Sequence, residues 1–157
     1  MKRVVAIAVL MALLLPQSAH AVTRKGPQGQ TISVKSTTVK DGSIVTVTGN
    51  HFDETVGIYL AFCVIPAQGK APTPCGGGVN KAGLGEASFW ISSNPPPYAI
   101  GLTEEFLPGG RFMHKVKVSK KIGKFDCTKV RCAITVRADH LRSSDRSSDL
   151  FIPIIIK

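Results

Sequence analysis

The chain has 157 residues, with 20 Lys and Arg against 10 Asp and Glu, a formal net charge of +10. A hydrophobic fraction of 43% excludes a disordered polar chain and suits one domain with a sizeable core. The positive surplus is local: from Arg111 to Arg131 eight Lys or Arg residues face only Asp126, whereas Arg137 to Asp149 is neutral.

The chain opens MKRVVAIAVLMALLLPQSAHA. Lys2 and Arg3 precede an apolar run from Val4 to Leu15, which is shorter than the roughly 20 residues a membrane span needs. Ala19-His20-Ala21 is an A-x-A cleavage site, so residues 1–21 read as a secretory signal peptide cleaved after Ala21. The expected product is secreted and extracellular, with no transmembrane segment in the mature chain and at most a loose hold on the cell surface. Residues 22–30, VTRKGPQGQ, are polar and rich in turn formers, and read as a flexible leader before a domain at 31–157.

Strand signals dominate from there. Thr31–Val39 is apolar at Ile32, Val34 and Val39, with a break at Ser36-Thr37-Thr38. Ser43–Gly49 alternates around Val45 and Val47 after an Asp41-Gly42 turn. Val56–Val64 is nearly continuously apolar, which predicts a central strand. Ala87–Ser92 carries Phe89, Trp90 and Ile91. Arg111–Val118 places Phe112, His114, Val116 and Val118 on one face, with Met113, Lys115 and Lys117 on the other. Arg131–Ala138 puts Cys132, Ile134 and Val136 on one face, and Leu150–Ile156 closes the chain with Pro153 marking an edge strand or a bulge. Seven strands separated by glycine-rich turns predict an all-β, immunoglobulin-like Greek-key sandwich. The one place for a helix is Leu102–Leu107, where Pro108-Gly109-Gly110 would end it.

Four cysteines in an exported chain point to disulfides. Cys63–Cys75 and Cys127–Cys132 each close a short segment between strand-like runs and are the favoured pairs. Zinc ligation and a single bridge across the two sheets stay open as alternatives. Two long connections, Pro66–Ala87 and Ser93–Gly110, stand out. The second holds Pro95-Pro96-Pro97, a stiff run, followed by Tyr98, Ile100, Leu102, Phe106 and Leu107. These residues either wall a cleft or cover one end of the sandwich.

Arg142-Ser143-Ser144-Asp145-Arg146-Ser147-Ser148-Asp149 is one tetrapeptide written twice, with Asp139 and His140 just before it. Serine, histidine and aspartate so close invite comparison with a hydrolase triad. However, Asp139 and His140 are neighbours at a strand end, and no G-x-S-x-G elbow is present. A loop pairing its own charges, or presenting them to a partner, is the better expectation. Metal or haem ligation could draw on His51, His114 or His140, with Tyr59 or Tyr98 as oxygen ligands; but His51 and Asp53, two apart, lack a clear third ligand and His114 on an apolar face reads as a satisfied, semi-buried histidine, so neither a metal nor a cofactor is expected. The basic strip Lys115, Lys117, Lys120, Lys121 and Lys124 suits an anionic cell-envelope polymer or a solvated, lysine-protected edge. Sequence-specific nucleic-acid reading is not expected, since no recognition helix is in sight.

The stretch DGSIVTVTGNHFDETVGIYLAFC, together with the longer cysteine loop and the short one in CTKVRC, resembles the neocarzinostatin-type apoproteins of actinobacteria. The resemblance covers Ile32–Cys75 and Cys127–Ile156. It implies a secreted seven-stranded immunoglobulin-like sandwich with two local disulfides and a ligand cleft between a sheet and loops. WISSNPP, KIGKFDCTKVRCA and RADHLRSSDRSSDLF also resemble extracellular actinobacterial proteins, some of which carry this domain beside a haem-transport-associated module. The expected function is therefore a non-enzymatic binding module for a small apolar ligand. Candidate ligand residues are Trp90, Tyr98, Phe106, Arg142 and Arg146. The alternatives are an envelope-polymer module acting through the basic strip, or a haem-uptake accessory protein.

Overall fold

The computed structural model describes residues 21–76 and 88–157. The expected signal peptide therefore lies, apart from Ala21, outside the described residues. In chain order the strands are β1 (Val22–Lys25), β2 (Thr31–Val34), β3 (Thr38–Val39), β4 (Ile44–Asn50), β5 (Ile58–Val64), β6 (Ser88–Ile91), β7 (Phe112–Lys117), β8 (Lys121–Ile122), β9 (Phe125–Asp126), β10 (Cys132–Ala138) and β11 (Leu150–Ile156). A four-stranded sheet runs β1-β2-β4-β7 and a five-stranded sheet runs β3-β11-β10-β5-β6, while β8 and β9 form a small hairpin. Pairing is antiparallel throughout except between β11 and β3. The chain crosses between the two sheets after β2, β3, β4, β6 and β7, consistent with the Greek-key pattern of an immunoglobulin-like sandwich.

Alternation decides which side chains meet between the sheets. Ile32, Val34, Val45, Val47, Phe112 and Val116 come from one sheet, and Ile58, Leu60, Phe62, Ile134, Val136 and Ile152 from the other; all are buried in one cluster. The expected break in Thr31–Val39 is where the chain leaves one sheet for the other. Ser36 makes it: its hydroxyl donates to the Thr38 carbonyl at 2.9 Å and accepts from the Thr38 amide at 3.2 Å. Pro153 sits where β11 has β10 on one side (paired with Ala133), and β3 begins pairing only at Ile155. Its missing N–H thus falls on the strand's open side.

Two expectations are corrected. Residues 22–30 are not a loose leader: β1 pairs with β2 from Val22↔Val34 to Lys25↔Thr31. Gln30 is only 2% exposed, and its side-chain amide donates to the Ser147 carbonyl at 2.9 Å. A buried, satisfied glutamine anchors the segment, and a reading of composition alone counts it as polar and loose. Leu102–Leu107 forms no helix; the helical turn in that connection is a single 3-10 turn at Pro97–Ala99. Glu104 instead runs beside β6, where its amide donates to the Trp90 carbonyl and its carbonyl accepts from Ser92. Backbone groups of the sheet edge are satisfied this way, and a free helix would leave them open.

Both favoured disulfides are present, Cys63–Cys75 and Cys127–Cys132, and no cysteine is free among the described residues. No described helix is long and apolar enough to cross a membrane.

Candidate functional site

β5 and β10, two adjacent inner strands of the five-stranded sheet, carry buried residues on both faces. On β5, Ile58, Leu60 and Phe62 face the core, yet Ala61 and Cys63 on the opposite face are also buried. On β10, Ala133 and Thr135 are likewise buried on the face away from the other sheet. The loop closed by Cys63–Cys75 faces part of that outer surface: Pro72, Thr73, Pro74 and Cys75 line one cleft with Ala61, Cys63 and Thr135. Its return pairs antiparallel along the edge of β5, with the Gly76 amide donating to the Phe62 carbonyl and the Val64 amide to the Pro74 carbonyl.

Beside this cover the surface opens into a cleft of about 250 Å³. Its sheet side is made of Tyr59, Ala61 and Cys63 from β5, Trp90 from β6, and Thr135 and Arg137 from β10. Pro72, Thr73, Pro74 and Cys75 form the opposing wall. The lining is mostly apolar, as small-molecule sites are, and its volume lies just below their usual range of roughly 300–1,000 Å³. Ser88 also borders the cleft, so the lining flanks segment 77–87, which lies outside the described residues.

A hydrogen-bonded aromatic group holds one end of the cleft. Trp90 is the chain's single tryptophan, and its indole N–H donates to Asp139 Oδ2 at 3.0 Å. Asp139 is 1% exposed; its other oxygen accepts from the Leu141 amide and caps the short turn His140–Arg142. Gly57 makes room for that carboxylate, since a Cβ there would collide with Asp139 Oδ2. His140, edge-on to Trp90 at 4.9 Å between ring centres, is held from both sides: Tyr59 bonds its Nδ1 at 2.5 Å and Tyr98 its Nε2 at 2.8 Å. A neutral imidazole carries one N–H, so one phenol accepts from the ring and the other donates to it. Burial, followed by the Asp139 charge, holds the Tyr59 phenol above its ordinary pKa. The Arg137 guanidinium lies over the Tyr59 ring, 5.4 Å from its centre.

This geometry leaves the triad idea without support. Asp139 is bonded to Trp90 and Leu141, and both nitrogens of His140 are bonded to tyrosines, so no serine is joined to the histidine. Among the described residues, no group of three or more His, Cys, Asp or Glu is placed to hold a metal.

The expected ligand residues scatter. Trp90 lies in the cleft and Tyr98 at its end, 62% exposed. Phe106, expected on a cleft wall, is a core residue 6% exposed and stacked on Phe52 at 6.2 Å, so the apolar residues of its loop divide between core and surface. Arg146 bonds Asp149 at 3.1 Å and the Ser143 carbonyl at 2.7 Å, beside a separate groove of about 260 Å³. Arg142 is exposed and makes no ion pair with a described residue. His114, expected as a semi-buried histidine, stacks on Phe89 at 4.4 Å and meets Glu104 at 3.4 Å; burial lowers its pKa against the pull of Glu104.

Lys115 and Lys117 stand on the exposed face of β7, an edge strand, and Lys120, Lys121 and Lys124 continue at the β8–β9 hairpin. Lys121 is paired with Asp126 at 3.1 Å, and Lys124 lies 5.7 Å over the Phe125 ring.

Tyr59, Thr135 and Arg137 were not anticipated as cleft residues. The signal for them is present in the sequence: β5 and β10 are apolar or small on both faces, and in a two-layer sandwich such strands need a second cover.

No family model matches the chain, and no curated protein matches it. Among solved structures it is similar to macromomycin, with a TM-score of 0.54 and 14% identity over 82% of this chain and 99% of that one. Macromomycin is an enediyne apoprotein of the neocarzinostatin family. At this identity the likeness establishes a neocarzinostatin-like sandwich.

Proposed function

We propose that this neocarzinostatin-like sandwich is an extracellular, non-enzymatic carrier of a small, mainly apolar ligand, held in the cleft between the outer face of β5, β6 and β10 and the Cys63–Cys75 loop. The observation that carries the reading is the cleft itself. A sheet face that could have been polar and solvated is lined instead with Ala61, Trp90 and prolines, beside a disulfide that stiffens the opposing wall. The likeness to macromomycin supports small-ligand carriage by such a fold, though not the identity of the ligand. Two disulfides fit an oxidising compartment, and the signal-peptide motif at residues 1–21 fits export.

The single tryptophan gives the test. Adding the neutral apolar probe N-phenylnaphthylamine should quench Trp90 fluorescence saturably. Ala61→Phe, which fills the cleft floor without adding a second indole, should abolish the quenching while circular dichroism stays that of the parent. Absence of saturable quenching in the parent protein would overturn the reading.

A second surface, the lysine strip on β7 and the β8–β9 hairpin, favours an anionic envelope polymer. Its mark would be wall binding that weakens steeply with salt and is lost when Lys115 and Lys120 are changed to Glu.

A further inference from the structure

We infer that the cleft selects an amphipathic anion, an apolar ring system bearing a carboxylate, sulfonate or similar group, and that Arg137 is the residue that receives it. This inference rests on the cleft being the ligand site. The other polar side chains on the sheet side of the cleft are engaged elsewhere. The Tyr59 hydroxyl is bonded to His140, and the Trp90 N–H to Asp139. The Thr135 hydroxyl donates to the Ala133 carbonyl at 3.2 Å, and Ser88 is also engaged. Arg137 is different: it is half-buried, lines the cleft, and makes neither a hydrogen bond nor an ion pair with any described residue.

Its surroundings explain why no described carboxylate pairs with it. Asp149, across the strand pair on β11's approach, is within electrostatic reach but bonded to Arg146. Asp139 acts on the same neighbourhood but is bonded to Trp90 and Leu141. The Tyr59 ring supports the guanidinium from below at 5.4 Å, so its position is set before a ligand arrives. A planar guanidinium with five donors, none used by a described residue, at the margin of an apolar cleft matches a planar or tetrahedral oxyanion whose body lies on Trp90 and Ala61. A neutral ligand of the same shape would leave those donors unmet and forgo the strongest interaction the cleft offers.

The test compares N-phenylnaphthylamine with its sulfonated counterpart, anilinonaphthalene sulfonate, by Trp90 quenching and by competition between the two. The parent protein should bind the sulfonate about tenfold more tightly, the size expected of one charged hydrogen-bonded contact. Arg137→Gln should remove that advantage while leaving the neutral probe within about twofold and the melting temperature unchanged. Equal affinities in the parent protein, or a loss in Arg137→Gln that strikes both probes alike, would overturn the role of Arg137 and leave the cleft standing. If neither probe quenches Trp90, the cleft reading fails and this inference with it.

Discussion

At the scale of single residues, aspartate does three different jobs here, set by what stands two or three positions away. Asp53, Asp126 and Asp145 each accept from the backbone amide of a Thr or Ser two residues on: Thr55 at 2.9 Å, Thr128 at 3.0 Å and Ser147 at 2.8 Å. The hydroxyl of the same Thr or Ser, followed by these backbone bonds, holds all three carboxyls below their ordinary pKa, so their contribution is present at neutral pH and lost as pH falls through the depressed values. Asp149 goes the other way. One oxygen pairs with Arg146, but the other is buried without a hydrogen-bond partner among the described residues, and burial outweighs the pair, raising the pKa to about 6. The folded protein then holds a proton that the unfolded chain releases. Relative to Asp149→Asn, the parent should gain stability as pH falls from above about 6 toward the unfolded value of about 4, and level off below it. His114, with its lowered pKa, loses stability in the same window, and comparing the two proteins at each pH cancels that loss. Thermal melts from pH 8 to about 4 check this; a constant difference between the two proteins would contradict it. Asp139 does the third job, holding Trp90 from a fully buried position. Asp139→Ala should cost about 2–3 kcal/mol by leaving the indole N–H and a turn amide unmet, measurable by urea denaturation, and should shift Trp90 emission. The doubled RSSD shows how far residue-level reading reaches. It suggested self-pairing charges, which holds for Arg146 and Asp149 but not for Arg142; the two copies are identical in sequence and differ only in what the fold sets beside them.

At the scale of elements, alternation of apolar residues was enough to locate the seven main strands, because one buried face per strand imposes a period of two. It was also enough to separate the faces of β7 and β10. It could not show β1 pairing or the burial of Gln30, because those depend on backbone hydrogen bonds and on a partner 117 residues away at Ser147. Nor could it show that Glu104 follows β6, a contact made by main-chain groups that any residue could supply. The cysteine spacing did carry the disulfides, and the two bridges differ in what they support. Cys63–Cys75 spans 12 positions and walls the cleft, whereas Cys127–Cys132 spans 5 and closes the loop after the β8–β9 hairpin. The chain-entropy relation gives about 3 kcal/mol for the first and about 2 for the second. Replacing Cys63 and Cys75 with Ala should therefore cost more in stability, and it alone should weaken probe binding. If the Cys127 and Cys132 double substitution weakened binding equally, the cleft would have been placed on the wrong side of the sheet.

At the scale of the whole molecule, function divides along the sandwich. The Asp41–Gly42 turn, the β8–β9 hairpin and the short disulfide gather at one end, where Lys120 accompanies Asp41 and Lys121 accompanies Asp126. The aromatic group of Tyr59, Trp90, Tyr98 and His140 sits toward the other end, where β5 begins and β10 finishes. Between them the outer sheet face carries the cleft. The fold class was readable because it follows from strand number and period; the cleft was not, because its lining joins β5, β6, β10 and a loop far apart in sequence, brought together only by register. The most direct test of ligand carriage is a map of amide chemical shifts in the labelled protein titrated with anilinonaphthalene sulfonate. Saturable shifts should be confined to the neighbourhood of Tyr59, Ala61, Cys63, Trp90, Thr135, Arg137 and the wall at Thr73 to Cys75. Shifts centred instead on Lys115 to Lys124, or no saturable shifts at all, would contradict it.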